Sequence, residues 1–263
     1  MALWQCGANR IRTAVFLAAA VLLLLWPLGM RARAAESAAQ EPAAETGGEA
    51  PAAETVMIRV EAQREETDRA ALLDRINEIR KEACEEGVDS PVDGSPLTPA
   101  DYVPLTWSGE LEEIALQRAA ESMILQDHIR PDGRDCFTAA PEGVSFTTET
   151  LAWGFESARE ALEGWYSEKA SYLNADGKPA GHYMALINPQ SRCVGIAGLG
   201  APYQRRACAG AFGKEAAAGE TAIQKEKSTE EDRMIPVRRD LLPAILHRAL
   251  EVTAGRILRA AVF

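Results

Sequence analysis

Only three histidines occur in this chain of 263 residues: His128, His182 and His247. Any chemistry that needs an imidazole, as ligand or as proton carrier near neutral pH, has to use one of them. Four short segments set titratable groups beside aromatic or small residues. They are Gln126-Asp127-His128, Thr148-Glu149-Thr150-Leu151-Ala152-Trp153-Gly154, Trp165-Tyr166-Ser167-Glu168 and Gly181-His182-Tyr183. Together they offer two imidazoles and two carboxylates for a shared His/Glu site. No His-Glu-x-x-His or other compact ligand motif links them, so only the fold can bring them together. The alternative is that each histidine satisfies a local hydrogen bond and each glutamate is a solvated helix residue. Ser145, Ser157 and Ser167 lack a Gly-x-Ser-x-Gly context, which argues against a serine hydrolase. His247 reads as a solvated tail residue.

The elements that must position these groups are legible as periodicities. Leu72, Ile76, Ile79 and Ala83 recur at helical spacing from about Thr67, and Gly87 stops that helix. Ser108 is the expected cap of a second helix with Leu111, Ile114, Ala115, Ala119 and Met123 facing inward. It ends before the turn Arg130-Pro131-Asp132-Gly133. A third helix is expected from Ser157 to Glu168, burying Ala158, Ala161, Leu162 and Trp165. Two short segments of small residues, 193–199 and 208–212, flank a Gly-Ala-Pro break and read as a hairpin. Helices and strands mixed in this way predict an α+β layered domain.

The ends have a different character. Arg10 and Arg12 precede an apolar run from Thr13 to Met30, and Ala32-Arg33-Ala34 offers a small-x-small cleavage pattern. Residues 1–34 therefore read as a signal peptide for export, with an uncleaved N-terminal anchor as the alternative. Residues 35–66 are expected to be a flexible acidic linker of Ala, Glu, Pro and Gly. The folded body is expected over 67–213. Residues 214–263 read as a charged linker followed by an amphipathic, locally basic helix that a membrane surface would attract. The net charge is −11, which makes nucleic acid an unsuitable partner.

Four cysteines lie beyond the expected signal: Cys84, Cys136, Cys193 and Cys208. No C-x-x-C occurs among them, so a zinc ribbon or a redox motif is not supported. In an exported chain they read as two structural bridges. A hairpin centred on Gly200–Ala201 would set Cys193 opposite Cys208, leaving Cys84 to pair with Cys136 by elimination.

The order His…Glu…Trp-Tyr-x-Glu…Gly-His-Tyr resembles the CAP superfamily, the cysteine-rich secretory, antigen 5 and pathogenesis-related 1 proteins. More narrowly it resembles their bacterial extracellular SCP-like branch. Arg130-Pro131-Asp132-Gly133 after the histidine, Glu149-Thr150-Leu151-Ala152-Trp153, and Gly181-His182-Tyr183 with Ile187-Asn188-Pro189 carry the likeness. The resemblance implies a three-layer α-β-α sandwich with an open cleft. There His128 and His182 would hold a divalent metal such as zinc, and Glu149 and Glu168 would bond water or the histidines. Trp153, Trp165 and Tyr183 would line the cleft. Thr148 and Thr150 depart from the family's usual Gly and Asn. The functional expectation is a secreted binding or interaction module for a lipid, cell-wall or protein ligand. The alternative is a metal-assisted, peptidase-like hydrolase with a glutamate as base.

Overall fold

The computed structural model describes residues 54–201, 205–215 and 229–247. The expected signal peptide, most of the acidic linker and the end of the C-terminal helix lie outside the described residues. Helix α1 (Arg69–Glu86) starts where Asp68 accepts a hydrogen bond from the Ala71 amide. It ends at Gly87, whose left-handed φ of 68° lets its N–H reach the Ala83 carbonyl. The spacing-predicted Leu72, Ile76, Ile79 and Ala83 are all buried. Helix α2 (Gly109–Ile124) is capped by Ser108, and α3 (Ala158–Tyr166) by Ser157, as their sequences predict. Two short helices that hydrophobic spacing did not reveal follow, α4 (Lys169–Asn174) and α5 (Gly181–Ile187).

The strands are β1 (Thr55–Arg64), β2 (Thr106–Trp107), β3 (Thr148–Trp153), β4 (Cys193–Ala201), β5 (Arg205–Gly213) and β6 (Thr229–Arg238). They form one sheet in the order β3-β5-β4-β1-β6, with β2 pairing parallel to β4. β2 and β1 share one side of β4, at Cys193–Val194 and at Leu199–Gly200 respectively. Two stretches depart from the sequence reading. Residues 55–64 were expected to close the linker and 229–238 to belong to a charged run, yet they pair along their whole length as β1 and β6.

Alternation along the central hairpin builds two cores. Val194, Ile196, Cys208 and Phe212 face α1, α3 and α5, with Trp165, Tyr183 and Leu186. Cys193, Ala197, Leu199, Ala209 and Ala211 face α2, with Leu111, Ala115 and Ala119. Helices therefore cover both faces of the sheet, giving the expected three-layer α-β-α sandwich.

The same alternation overturns the expected bridges. The register pairs Cys193 with Gly213 and Cys208 with Gly198, so the turn lies beyond Gly200–Ala201 and the two cysteines are five positions out of step. An odd offset puts their side chains on opposite faces, in different cores. Cys84 packs in the α1 core, whereas Cys136 lies beside Asp135 and Glu149. All four are free thiols and all are buried. Burial raises each thiol's pKa, that of Cys136 to about 12. These cysteines act as small apolar core residues.

Candidate functional site

Glu149 is the second residue of β3, the edge strand of the sheet. Its side chain falls on the α2 face with Leu151, and it is only 2% exposed. Two residues share that carboxylate. Arg118 of α2 donates from Nε to Oε1 at 2.5 Å and from Nη2 to Oε2 at 3.3 Å. His128 contributes Nδ1 at 2.6 Å from Oε2. Arg118 also pairs with Glu121 one helical turn on, and its Nη2 reaches the carbonyls of Asp127 and His128, each at 3.1 Å. Glu121 in turn takes Arg130 Nη2 at 2.6 Å and Gln117 Nε2 at 2.9 Å. His128 thus rests on a buried chain of alternating charges: Glu149, Arg118, Glu121 and Arg130.

Each charge in that chain depends on the next. Burial works to raise the Glu121 carboxyl, but hydrogen bonds from Arg130 and Gln117, with the nearby guanidinium charges, hold it below its ordinary value. Burial likewise opposes the Arg118 charge, and the two glutamates more than offset it. The hydrogen bond to Glu149 raises the His128 pKa above its reference of 6.5, against a smaller desolvation effect. The pair's stabilisation is therefore complete below the unfolded value and fades as pH rises through the higher folded one. Glu149→Gln should move the His128 titration, followed by NMR, down toward about 6.5. An unchanged midpoint would mean that Glu149 does not hold this ring.

The second pair has a different architecture. Glu168 lies between α3 and α4, directly before Lys169. Its Oε1 lies 2.7 Å from His182 Nδ1, and its Oε2 accepts from the His182 amide at 2.9 Å and the Tyr183 amide at 3.4 Å. One carboxylate thus caps the first turn of α5 and fixes the ring that turn carries. The His182 ring lies 6.2 Å from the Trp165 ring, whose Nε1 donates to the Leu151 carbonyl at 3.2 Å.

The structure brings His128 to Glu149 and His182 to Glu168. No hydrogen bond joins one pair to the other among the described residues. Trp165 and Tyr183 are buried in the α1 core and do not line an open cleft. Trp153 is partly buried against the α2 core. His247 is exposed and belongs to neither pair.

The sequence reading missed Arg118, Glu121 and Arg130. An available signal was the placement of Arg118 and Glu121 among the inward positions of an otherwise apolar helix face. Charges there need partners, and Arg130 beside the His128 turn supplies one. Thr150, the departure from the family pattern, has its own consequence. It is fully buried and its Oγ1 has no hydrogen-bond partner. Thr150→Val removes that hydroxyl at nearly constant volume and should stabilise the fold by about 1 kcal/mol in urea denaturation. A comparable loss would show that the hydroxyl is satisfied.

A metal of the kind the family resemblance implies would have to be held by the donors of the two pairs. Both Nδ1 atoms are taken by carboxylates, which leaves the two Nε2 atoms without a partner among the described residues. Among the described residues no group of three or more His, Cys, Asp or Glu side chains is placed to hold a metal ion. Two imidazoles fall short of the three protein ligands typical of catalytic zinc.

The family described as "CAP: Cysteine-rich secretory protein family" matches residues 73–208, just over half of the chain. Solved structures that resemble it include NaASP2 with Zn2+, at 14% identity and a TM-score of 0.41, covering 61% of this chain and 86% of that one. An outer surface protein from Borrelia burgdorferi has 18% identity and a TM-score of 0.38, covering 58% and 98%. Venom allergen-like protein 4 of Schistosoma mansoni has 14% identity and a TM-score of 0.39, covering 59% and 95%. No curated protein sequence gives a significant match.

Proposed function

This chain belongs to the CAP, or cysteine-rich secretory, protein family through residues 73–208, and from that membership we propose that it is an extracellular binding module presenting His128 and His182 to its ligand. CAP family proteins are typically secreted, and the leader pattern of residues 1–34 supports export. The observation that carries the reading is how the glutamates are used. Glu149 is engaged on both oxygens by Arg118 and His128, and Glu168 on both by His182 and the amides of α5. A carboxylate so engaged is a poor general base, because proton abstraction needs an oxygen within reach of water or substrate. Both glutamates orient rings. The ring side chains remain 56% and 29% exposed, and among the described residues neither Nε2 has a hydrogen-bond partner.

The ligand is a lipid, a cell-wall fragment or a protein that meets these imidazoles. The basic C-terminal segment would add membrane-surface contact in an otherwise acidic chain. The metal-assisted hydrolase has one observation in its favour. An Nδ1–carboxylate bond that leaves Nε2 bare is the outer support common at metal-ligating histidines. Against it, no third ligand stands with the two imidazoles among the described residues.

A capture and turnover experiment separates the two. The full-length protein is offered anionic phospholipid vesicles, soluble wall fragments and a peptide and ester panel. The expected result is capture without turnover, with capture lost in the double variant His128→Ala, His182→Ala and retained in Glu168→Gln. Turnover abolished by Glu149→Gln in a folded protein, with stoichiometric Zn2+ uptake by calorimetry, would replace the binding reading with the hydrolase.

A further inference from the structure

β1 and β6 lie outside the family-matched segment and extend past the rest of the sheet. β1 runs from Thr55 to Arg64 and pairs with β6 throughout, but it meets β4 only at Gln63 and Arg64. Three observations fix which backbone groups of this ribbon point where. The Glu65 amide bonds the Gly198 carbonyl, so odd-numbered residues of β1 turn their N–H and C=O toward β4. Pro236 sits opposite Met57 and has no N–H, as a position turned away from β1 permits. The Arg238 amide, in phase with Pro236, donates to Pro131 on the far side of β6. The backbone groups of Thr55, Met57, Arg59 and Glu61 therefore face the side where β4 has ended. Among the described residues no strand pairs with them there.

The outer edge of β6 is guarded by Pro236 and by the contact to Pro131, the usual protection of a sheet edge. Among the described residues β1 has neither a proline nor such a contact on its other side. That open edge borders a cavity of about 1130 Å³, walled by Arg59, Glu61 and Gln63, by Gly200 and Ala201 at the end of β4, and by Arg206. Among the described residues, seven carboxylates line it against three guanidinium groups. All three cations are already committed: Arg59 to Asp232, Arg64 to Glu112 and Arg206 to Glu65. The Glu156 and Glu230 carboxylates, also in the wall, have no ion-pair partner among the described residues. Among the described residues the cavity thus joins an unpaired strand edge to a lining with more carboxylates than cations.

We propose that this notch binds an extended basic peptide, which adds as a strand to the open edge of β1 and sets lysine or arginine side chains against Glu156 and Glu230. Backbone pairing supplies the affinity and the acidic wall the choice of sequence. The site is separate from the histidine pairs, and its test is independent of theirs.

The test uses the full-length protein and three short synthetic peptides, with binding read by fluorescence anisotropy. They are an alternating lysine–valine peptide, its backbone N-methylated form, and an alternating glutamate–valine peptide. The first should bind, N-methylation should weaken it about tenfold or more, and the acidic peptide should not bind. Glu156→Gln with Glu230→Gln should weaken the lysine peptide roughly fourfold and flatten its salt dependence. Arg59→Pro is the sharper variant. It removes an edge N–H while sparing the backbone ladder to β6, and by also removing the ion pair to Asp232 it makes the wall more negative. Charge alone predicts tighter binding, whereas strand addition predicts loss. Because a strand proline can unfold a ribbon, amide hydrogen exchange on the wild type provides a second reading. The amides of Met57, Arg59 and Glu61 should gain protection when the lysine peptide is added. Absence of binding, equal binding of the N-methylated peptide, or no added protection at those amides would each overturn the proposal.

Discussion

Arg118→Ala should destabilise the protein by about 3–5 kcal/mol and release His128 from its orientation. Arg118 is 1% exposed and lies between Glu121, also 1% exposed, and Glu149, 2% exposed. Removing it leaves two carboxylates buried with fewer cations than charges. Arg130 still reaches Glu121, but Glu149 keeps only His128. The carboxylate must then take up a proton or draw in water, and either response costs stability. Two further bonds vanish with the guanidinium, those to the carbonyls of Asp127 and His128. They hold the backbone that carries the ring, so the His128 resonances should broaden or shift even where the fold survives. Arg118→Lys keeps the charge but cannot span both carboxylates and two carbonyls, and should recover only part of the loss. Urea denaturation of the three proteins gives the answer. A loss below about 1 kcal/mol for Arg118→Ala would mean that this network is solvated and not structural.

Gly195→Ala should cost more than about 3 kcal/mol, through a different mechanism. Gly195 lies on the α2 face of β4, where a Cβ would run into the backbone of Leu111 and Glu112, 2.6 Å from the Glu112 Cα. A side chain in the way can rotate aside, but helix backbone cannot, so α2 would have to lift off the sheet. Glu112 would move with it, and its carboxylate receives Arg64 at 2.5 Å and Trp107 Nε1 at 2.8 Å. The first turn of α2 is therefore held by packing and by a buried charge together. Gly94→Ala provides the contrast. Its left-handed φ of 72° brings backbone strain, but nothing lies within 4 Å of the new carbon. That change should cost about 1 kcal/mol. Similar losses at the two positions would remove the close helix–sheet approach as the cause.

Why some of this was readable from the residues, and some not, follows from how each interaction is encoded. The three main helices announce themselves, because Asp68, Ser108 and Ser157 cap runs with apolar residues at helical spacing. The pairing of His128 with Glu149 and of His182 with Glu168 rests on contacts across 21 and 14 residues, which no local spacing reveals. Order and resemblance pointed to these four residues, but not to how they divide into two pairs. β1 was hidden by its neighbourhood. Val56, Ile58, Val60 and Ala62 alternate as a strand should, but the Ala- and Glu-rich run before them masked the change of period. β6 was masked by its charges, since Glu230, Glu231 and Asp232 face a cavity and Arg233 reaches Glu113. The cysteines failed for a geometric reason. A hairpin centre misplaced by a few residues changes both partner and face, and an odd slip sends each thiol to a different core.

The central claim is that the glutamates serve the histidines, leaving two oriented imidazoles to meet the ligand. Long-range 1H–15N NMR of the imidazole nitrogens in alkaline buffer tests it directly. Nδ1 donating to a carboxylate predicts the Nδ1–H tautomer for both His128 and His182, with Nε2 unprotonated and available. In Glu149→Gln the His128 preference should be lost, while that of His182 stays. Finding the Nε2–H tautomer at either ring in the wild type would contradict the account, because that ring would then present a proton and not a lone pair.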